Sequence, residues 1–168
     1  MTSHDKPRGQ AMVEFALVIT VFILLMVGLF DFGRVIWAND TLATAAREAA
    51  RYAIVHGEKS TCPAGPASAG TEIDPTCLDP TSPSRQAIKD VAQKWAAGTS
   101  GDVTVSVCYG VVTTCSGDAD QVVNPAPTNS RGTRVTVTVT STIDLSVPSL
   151  VGFEGFDLQA SSTMLVNH

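Results

Sequence analysis

Apolar residues near the start of the chain follow one another with no polar period. Phe15 to Phe30 holds 16 residues and no charge. The spacing then changes. In "DFGRVIWANDTLATAAREAARYAIVHG", Phe32, Val35, Ile36, Asn39, Leu42, Ala46, Ala49, Ala50 and Ala53 recur at intervals of three and four. Arg34, Asp40, Arg47, Glu48 and Arg51 fall mostly elsewhere on the helical wheel. Gly28 and Gly33 each cost about 1 kcal/mol against alanine in a helix and allow a bend, but nothing stops it. The pattern predicts one helix from Gln10 to His56, about 70 Å long at 1.5 Å per residue, with Gly57 as its stop.

The pattern then breaks. Glu58 to Ser82 is interrupted by Pro63, Pro66, Pro75 and Pro80 and reads as a long irregular loop. Ser82 caps a short helix with Pro83 at its first position. Ile88, Val91, Ala92 and Trp95 form its buried stripe, and Gly98 ends it. "DVTVSVCYGVVTTC" alternates and is β-branched. "SGDADQVVNPAPTNSRG" is loop. "TRVTVTVTSTIDLSV" sets Val135, Val137 and Val139 on one face and threonines on the other until Pro148 breaks it, and "GFDLQASSTMLV" supplies the last strand. The predicted fold class is α+β: a long N-terminal helix, a short second helix and a small antiparallel meander of three or four strands. One sheet face is expected to pack on both helices.

Composition sharpens this picture. The apolar fraction is 44%, but much of it lies in the first block. The remainder, rich in Thr, Ser, Ala, Gly and Val, suits a small β-rich domain better than an enzyme with a deep core. A net charge of −5 argues against an electrostatic footprint for nucleic acid. The histidines are His4, His56 and His168, and neither a nucleophile elbow, a metal-ligand helix nor a phosphate loop occurs. The Asp118-x-Asp120 pair does not match a calcium loop and reads as solvated. No enzyme, cofactor or metal is expected. The four cysteines, Cys62, Cys77, Cys108 and Cys115, all follow the apolar block and read as two disulfides in an oxidising compartment.

The apolar block reads as a membrane segment. Crossing ~30 Å of hydrocarbon takes about 20 residues, so the span is placed at about 11–30 and includes Glu14. Lys6 and Arg8 precede it and Asp31 follows, which puts the N-terminus in the cytoplasm and the rest outside. A cleaved secretory signal would need small residues at −3 and −1 after the run, and "GLFDFGRVIW" has none in that pattern. A plain signal anchor with Glu14 snorkelling to the interface is physically adequate. It does not account for Gly9 standing five residues before that acid.

"RGQAMVEFALV" and "LFDFGRVIWANDTLATAAREAARYAIVHG" give Arg8 to Gly57 its resemblance to TadE-like proteins, the pseudopilins of tight-adherence (Tad, Flp-type) pili. The second stretch is the more specific, and the two cover under a third of the chain. Beyond them only the plan of late strand, proline and last strand is similar. The resemblance implies type IV pilin-like handling: a leader, residues 1–9, cut by a prepilin peptidase between Gly9 and Gln10. Glu14 then becomes residue five, followed by Phe15 where Tyr is common among the major pilins. In such assemblies the Glu faces the free α-amine of a neighbouring subunit. Two unit charges ~4 Å apart attract by about 4 kcal/mol at an effective dielectric of 20, which would offset burial and set register between helices. Losing the leader removes Asp5, Lys6 and Arg8, a change in net charge from −5 to −6.

The resulting expectation is a structural or assembly protein, a minor pilin or pseudopilin. Residues 10–57 would form the helix, and residues 58–168 an exported disulfide-containing domain. It would sit in the inner membrane as a single-pass protein and enter the extracellular pilus. Its partners would be the prepilin peptidase, other pilin subunits through the N-terminal helix, the inner-membrane assembly machinery and lipid. Two rivals are an unprocessed signal-anchored exported ligand-binding domain and, more weakly, an anchored envelope hydrolase. For the cysteines, local pairing of Cys62 with Cys77 and Cys108 with Cys115 needs the least long-range ordering and is favoured over the two crossed patterns.

Overall fold

The structure, a computed structural model, describes residues 7–60, 62–66, 85–99, 101–111, 114–117, 128–145 and 155–167. Its elements are α1 (Pro7–Val55), α2 (Arg85–Ala96), β1 (Val103–Tyr109), β2 (Arg134–Ile143) and β3 (Phe156–Leu165). The fold is α+β as expected, and among the described residues the sheet has three strands in the order β1-β2-β3. The α1 helix has 49 residues, about 74 Å at the standard rise. Its first described residue, Pro7, lies three residues before the predicted Gln10. It ends at Val55, ahead of Gly57. Ser82, Pro83, Cys77, Pro148, Asp118 and Asp120 lie outside the described residues.

Both strand pairs are antiparallel. Val105, Val107 and Tyr109 stand opposite Val139, Val137 and Val135, which in turn stand opposite Ala160, Ser162 and Met164. With a side-chain period of two, this register gathers the β2 valines on one face. That face packs on α1 and α2: Val107, Tyr109, Val135, Val137 and Val139 are buried with Leu42, Ala45, Ala46, Ala49, Ala50, Ala53, Ile88 and Ala92. Residues without bulk beyond Cβ let the helix lie close to the sheet, and Leu42 is the large side chain of the α1 seam.

The inward stripe of α1 follows the predicted one over Leu42, Ala46, Ala49, Ala50 and Ala53 and departs from it only nearer the apolar run. Phe32, Ile36 and Asn39 are exposed, and the buried line runs Asp31, Ala38, Leu42, Ala45, Ala49. On α2, Ile88, Ala92 and Ala96 are buried, whereas Trp95, expected in that stripe, is half exposed. An i, i+4, i+8 line places residue 95 on its flank.

The outer sheet face has its own cover. Ser106, Cys108 and Thr138 point away from the helices yet are buried. The segment after β1 folds back over them: Cys115 is disulfide-bonded to Cys108, and the Gly117 N–H donates to Ser106 Oγ at 3.0 Å. Cys62 is also disulfide-bonded. At the far end of α1, Tyr109 Oη and Asn129 Nδ2 both donate to the Ala64 carbonyl, at 3.0 and 3.3 Å. Gly65 has φ 131° and its absent side chain leaves the space that the Tyr109 hydroxyl fills.

Candidate membrane-anchoring and assembly site

The two halves of α1 meet different surroundings. From Gly9 to Phe30 almost every side chain is exposed, including Met12, Phe15, Leu17, Phe22, Leu25 and Leu29. From Ala38 to Ala53 one face is sealed against the sheet and α2. The apolar window of α1 has a mean hydropathy of 2.7 and none of it is covered by the rest of the chain. Leaving such a surface in water would cost about 25 cal/mol per Å², so this half requires an apolar partner. The helix is long and apolar enough to cross a membrane. Its hydroxyl is already provided for, since Thr20 Oγ1 donates to the Ala16 carbonyl at 2.7 Å.

Gly9 and Gln10 stand in the first turn of α1, both exposed, and nothing lies within 4 Å of where a Gly9 side chain would be. The first four N–H groups of a helix have no intrahelical partner, and glycine weakens the turn further. Glu14 and Phe15 lie one turn later, again exposed. Within a single chain these four residues share no contact with the folded body. Any joint role for them needs a second molecule.

The exit from the apolar segment is built differently. Asp31 is 5% exposed and its Oδ1 lies 3.7 Å from Arg34 Nη1. Pairing and burial keep this carboxylate from facing outward where the charge-free run ends. One turn further, Trp37 is about half exposed, and its ring edge lies over Gly98, at φ 118°, where an added Cβ would come within 3.1 Å. The turn after α2 is thus seated on α1 beside the end of the apolar segment. Two aromatic residues of this region escaped the sequence reading as site residues. Trp37 lay outside the predicted stripe and Trp95 inside a predicted core, and only the packing of α2 on α1 brings the turn that follows Trp95 onto the Trp37 ring.

The far end of α1 carries the other departures. Tyr52 stacks on His56 with ring centroids 3.9 Å apart, and burial raises the Tyr52 phenol above its ordinary pKa. His56 Nδ1 lies 2.9 Å from the Tyr52 carbonyl. Asn167 N–H donates to the Ile54 carbonyl at 3.3 Å, tying the chain after β3 to the end of the helix. Among the described residues no cluster of His, Cys, Asp and Glu could hold a metal ion.

Residues 9–51 match the family model described as TadE-like protein. The match lies on α1 and contains both the exposed apolar half and most of the alanine seam. No curated protein and no solved structure matches the chain. The match covers about a quarter of the chain.

Proposed function

From its TadE-like N-terminal helix, we propose that this chain is a minor pilin or assembly pseudopilin of a Tad-type pilus. In this reading a prepilin peptidase cuts after Gly9. The span then holds the subunit in the inner membrane with residues 58–168 exported. Gln10 supplies the new α-amine, and Glu14 pairs with the corresponding amine of a neighbouring subunit. Phe15 and the apolar residues after it are first lipid-facing and then helix-facing. The observation that carries the reading is the division of α1. Its first half is bare and its second half is cemented into the body, so the molecule offers an uncovered helix for packing against copies or relatives of itself.

The test separates assembly from anchoring. Glu14→Ala makes the span more apolar, so insertion and leader removal should persist in the host while pilus assembly and co-purification with other pilins are lost. Leaving one charge buried without its partner is the costly case, worth about 3–5 kcal/mol. Normal pili in that variant would refute the pairing and leave Glu14 as an interfacial side chain of a simple anchor.

A further inference from the structure

We propose that the end of the folded body next to the span rests on the lipid headgroup layer through Trp37 and Trp95. The inference rests on the membrane anchoring in the reading above but not on processing or pilus assembly. The antiparallel register fixes which end this is. Val166 and Asn167, just after β3, meet Thr133 and Ile54, so the end of β3 lies at the far end of α1. The start of β1, opposite Ser141, therefore lies toward the span, as does the turn at Gly98 that contacts Trp37. Trp95 is in the last turn of α2, three residues before that glycine.

The exposed apolar surface does not stop at Phe30. Phe32, Ile36, Trp37 and Trp95 continue it, each more than half exposed. Trp37 is seven residues past Phe30, about 10 Å along the axis. Helical side chains lean toward the N-terminus over the preceding turn, which lowers the indole by roughly half that distance. It then lies in the interfacial layer, which spans about 5–7 Å on each side of the hydrocarbon. Tryptophan favours that layer because its ring is apolar and its N–H needs a polar partner.

A lipid surface fits better than a second copy because this patch is continuous with a segment already able to span the bilayer. Cationic attraction is not what holds it. Asp102, Asp144 and Asp157 are exposed at the same end of the sheet and counter Arg34 and Lys94. The contact should therefore form on zwitterionic lipid and resist salt.

The chain has two tryptophans, so its fluorescence reports on this site alone. The full chain would be reconstituted into phosphatidylcholine vesicles, together with Trp37→Phe and Trp95→Phe, each of which isolates one ring. Each indole should be quenched more strongly by a headgroup spin label than by bromines at mid-chain. Aqueous iodide should quench several-fold less than it does free N-acetyltryptophanamide. Open access to iodide without lipid quenching, in protein that floats with the vesicles, would overturn the placement and leave the anchoring intact. Iodide shielding that depends on protein density, without lipid quenching, would assign the patch to a second copy and also overturn it. Failure to float would overturn both.

Discussion

Leu42 and Leu29 lie on the same helix, and the same truncation should have opposite consequences at the two sites. Leu42 is fully buried, whereas Leu29 is 68% exposed. Leu42→Ala removes three carbons, about 2.4 kcal/mol at roughly 0.8 kcal/mol each. The space left should persist. The seam around it consists of Ala45, Ala46 and Ala49, whose single methyls cannot reach across, and the facing valines are held by strand pairing. Cavity terms in such sites bring the total to about 3.5–4.5 kcal/mol. At roughly 4 °C per kcal/mol for a domain of this size, the melting midpoint should fall by about 14–18 °C. Leu29→Ala should leave it within about 2 °C, close to the ±0.5 kcal/mol expected of exposed sites. The assay is thermal unfolding of the full chain in micelles, followed by near-ultraviolet circular dichroism of the folded body. Comparable losses in the two variants would show that the halves of α1 share one environment and would refute the division on which the functional reading depends.

Two further outcomes follow from the sheet cover and the far end of α1. Replacing Cys108 and Cys115 together by serine reopens a loop with a sequence separation of 7. In the chain-entropy model this costs about 2.5 kcal/mol, and amide exchange should quicken at Ser106 and Gly117 first; unchanged stability would mean the loop is held without the bond. Burial raises the Tyr52 pKa, so the folded state favours the neutral phenol. Its contribution is complete below the ordinary pKa of about 10 and is lost as pH rises through the raised folded value. Stability should decline in alkali less steeply in Tyr52→Phe than in the parent, as read by denaturant midpoints across that range.

Much of this architecture was legible because two periods dominate the chain. The Val135, Val137, Val139 alternation specified the inner face of β2 before any partner was known, and the charge-free run to Phe30 specified a helix apolar enough to cross a membrane. What the pattern concealed was close approach and cover. The predicted Leu42, Ala46, Ala49, Ala50 and Ala53 are buried as expected. The pattern passed over Ala38 and Ala45, which are buried because small residues fit a helix lying close to a sheet. Hydrophobicity alone also favoured Phe32 and Ile36, which are exposed. Trp95 looked like core for the same reason. The outer-face burial of Ser106 and Thr138 depends on a segment returning from beyond Gly110, which no local period records. The proposed site around Gly9, Gln10, Glu14 and Phe15 was legible only as spacing, because the chemistry proposed for it requires molecules other than this one.

The most direct measurement of the central claim is the intact mass of the protein purified from its host membrane, with N-terminal sequencing. A pilin-like subunit is predicted to begin at Gln10, nine residues shorter than the full chain, and Gly9→Val is predicted to retain the leader. A mature protein that begins only at Met1 or Thr2, in cells containing an active prepilin peptidase, would contradict the claim and make this chain a membrane-anchored domain of another kind.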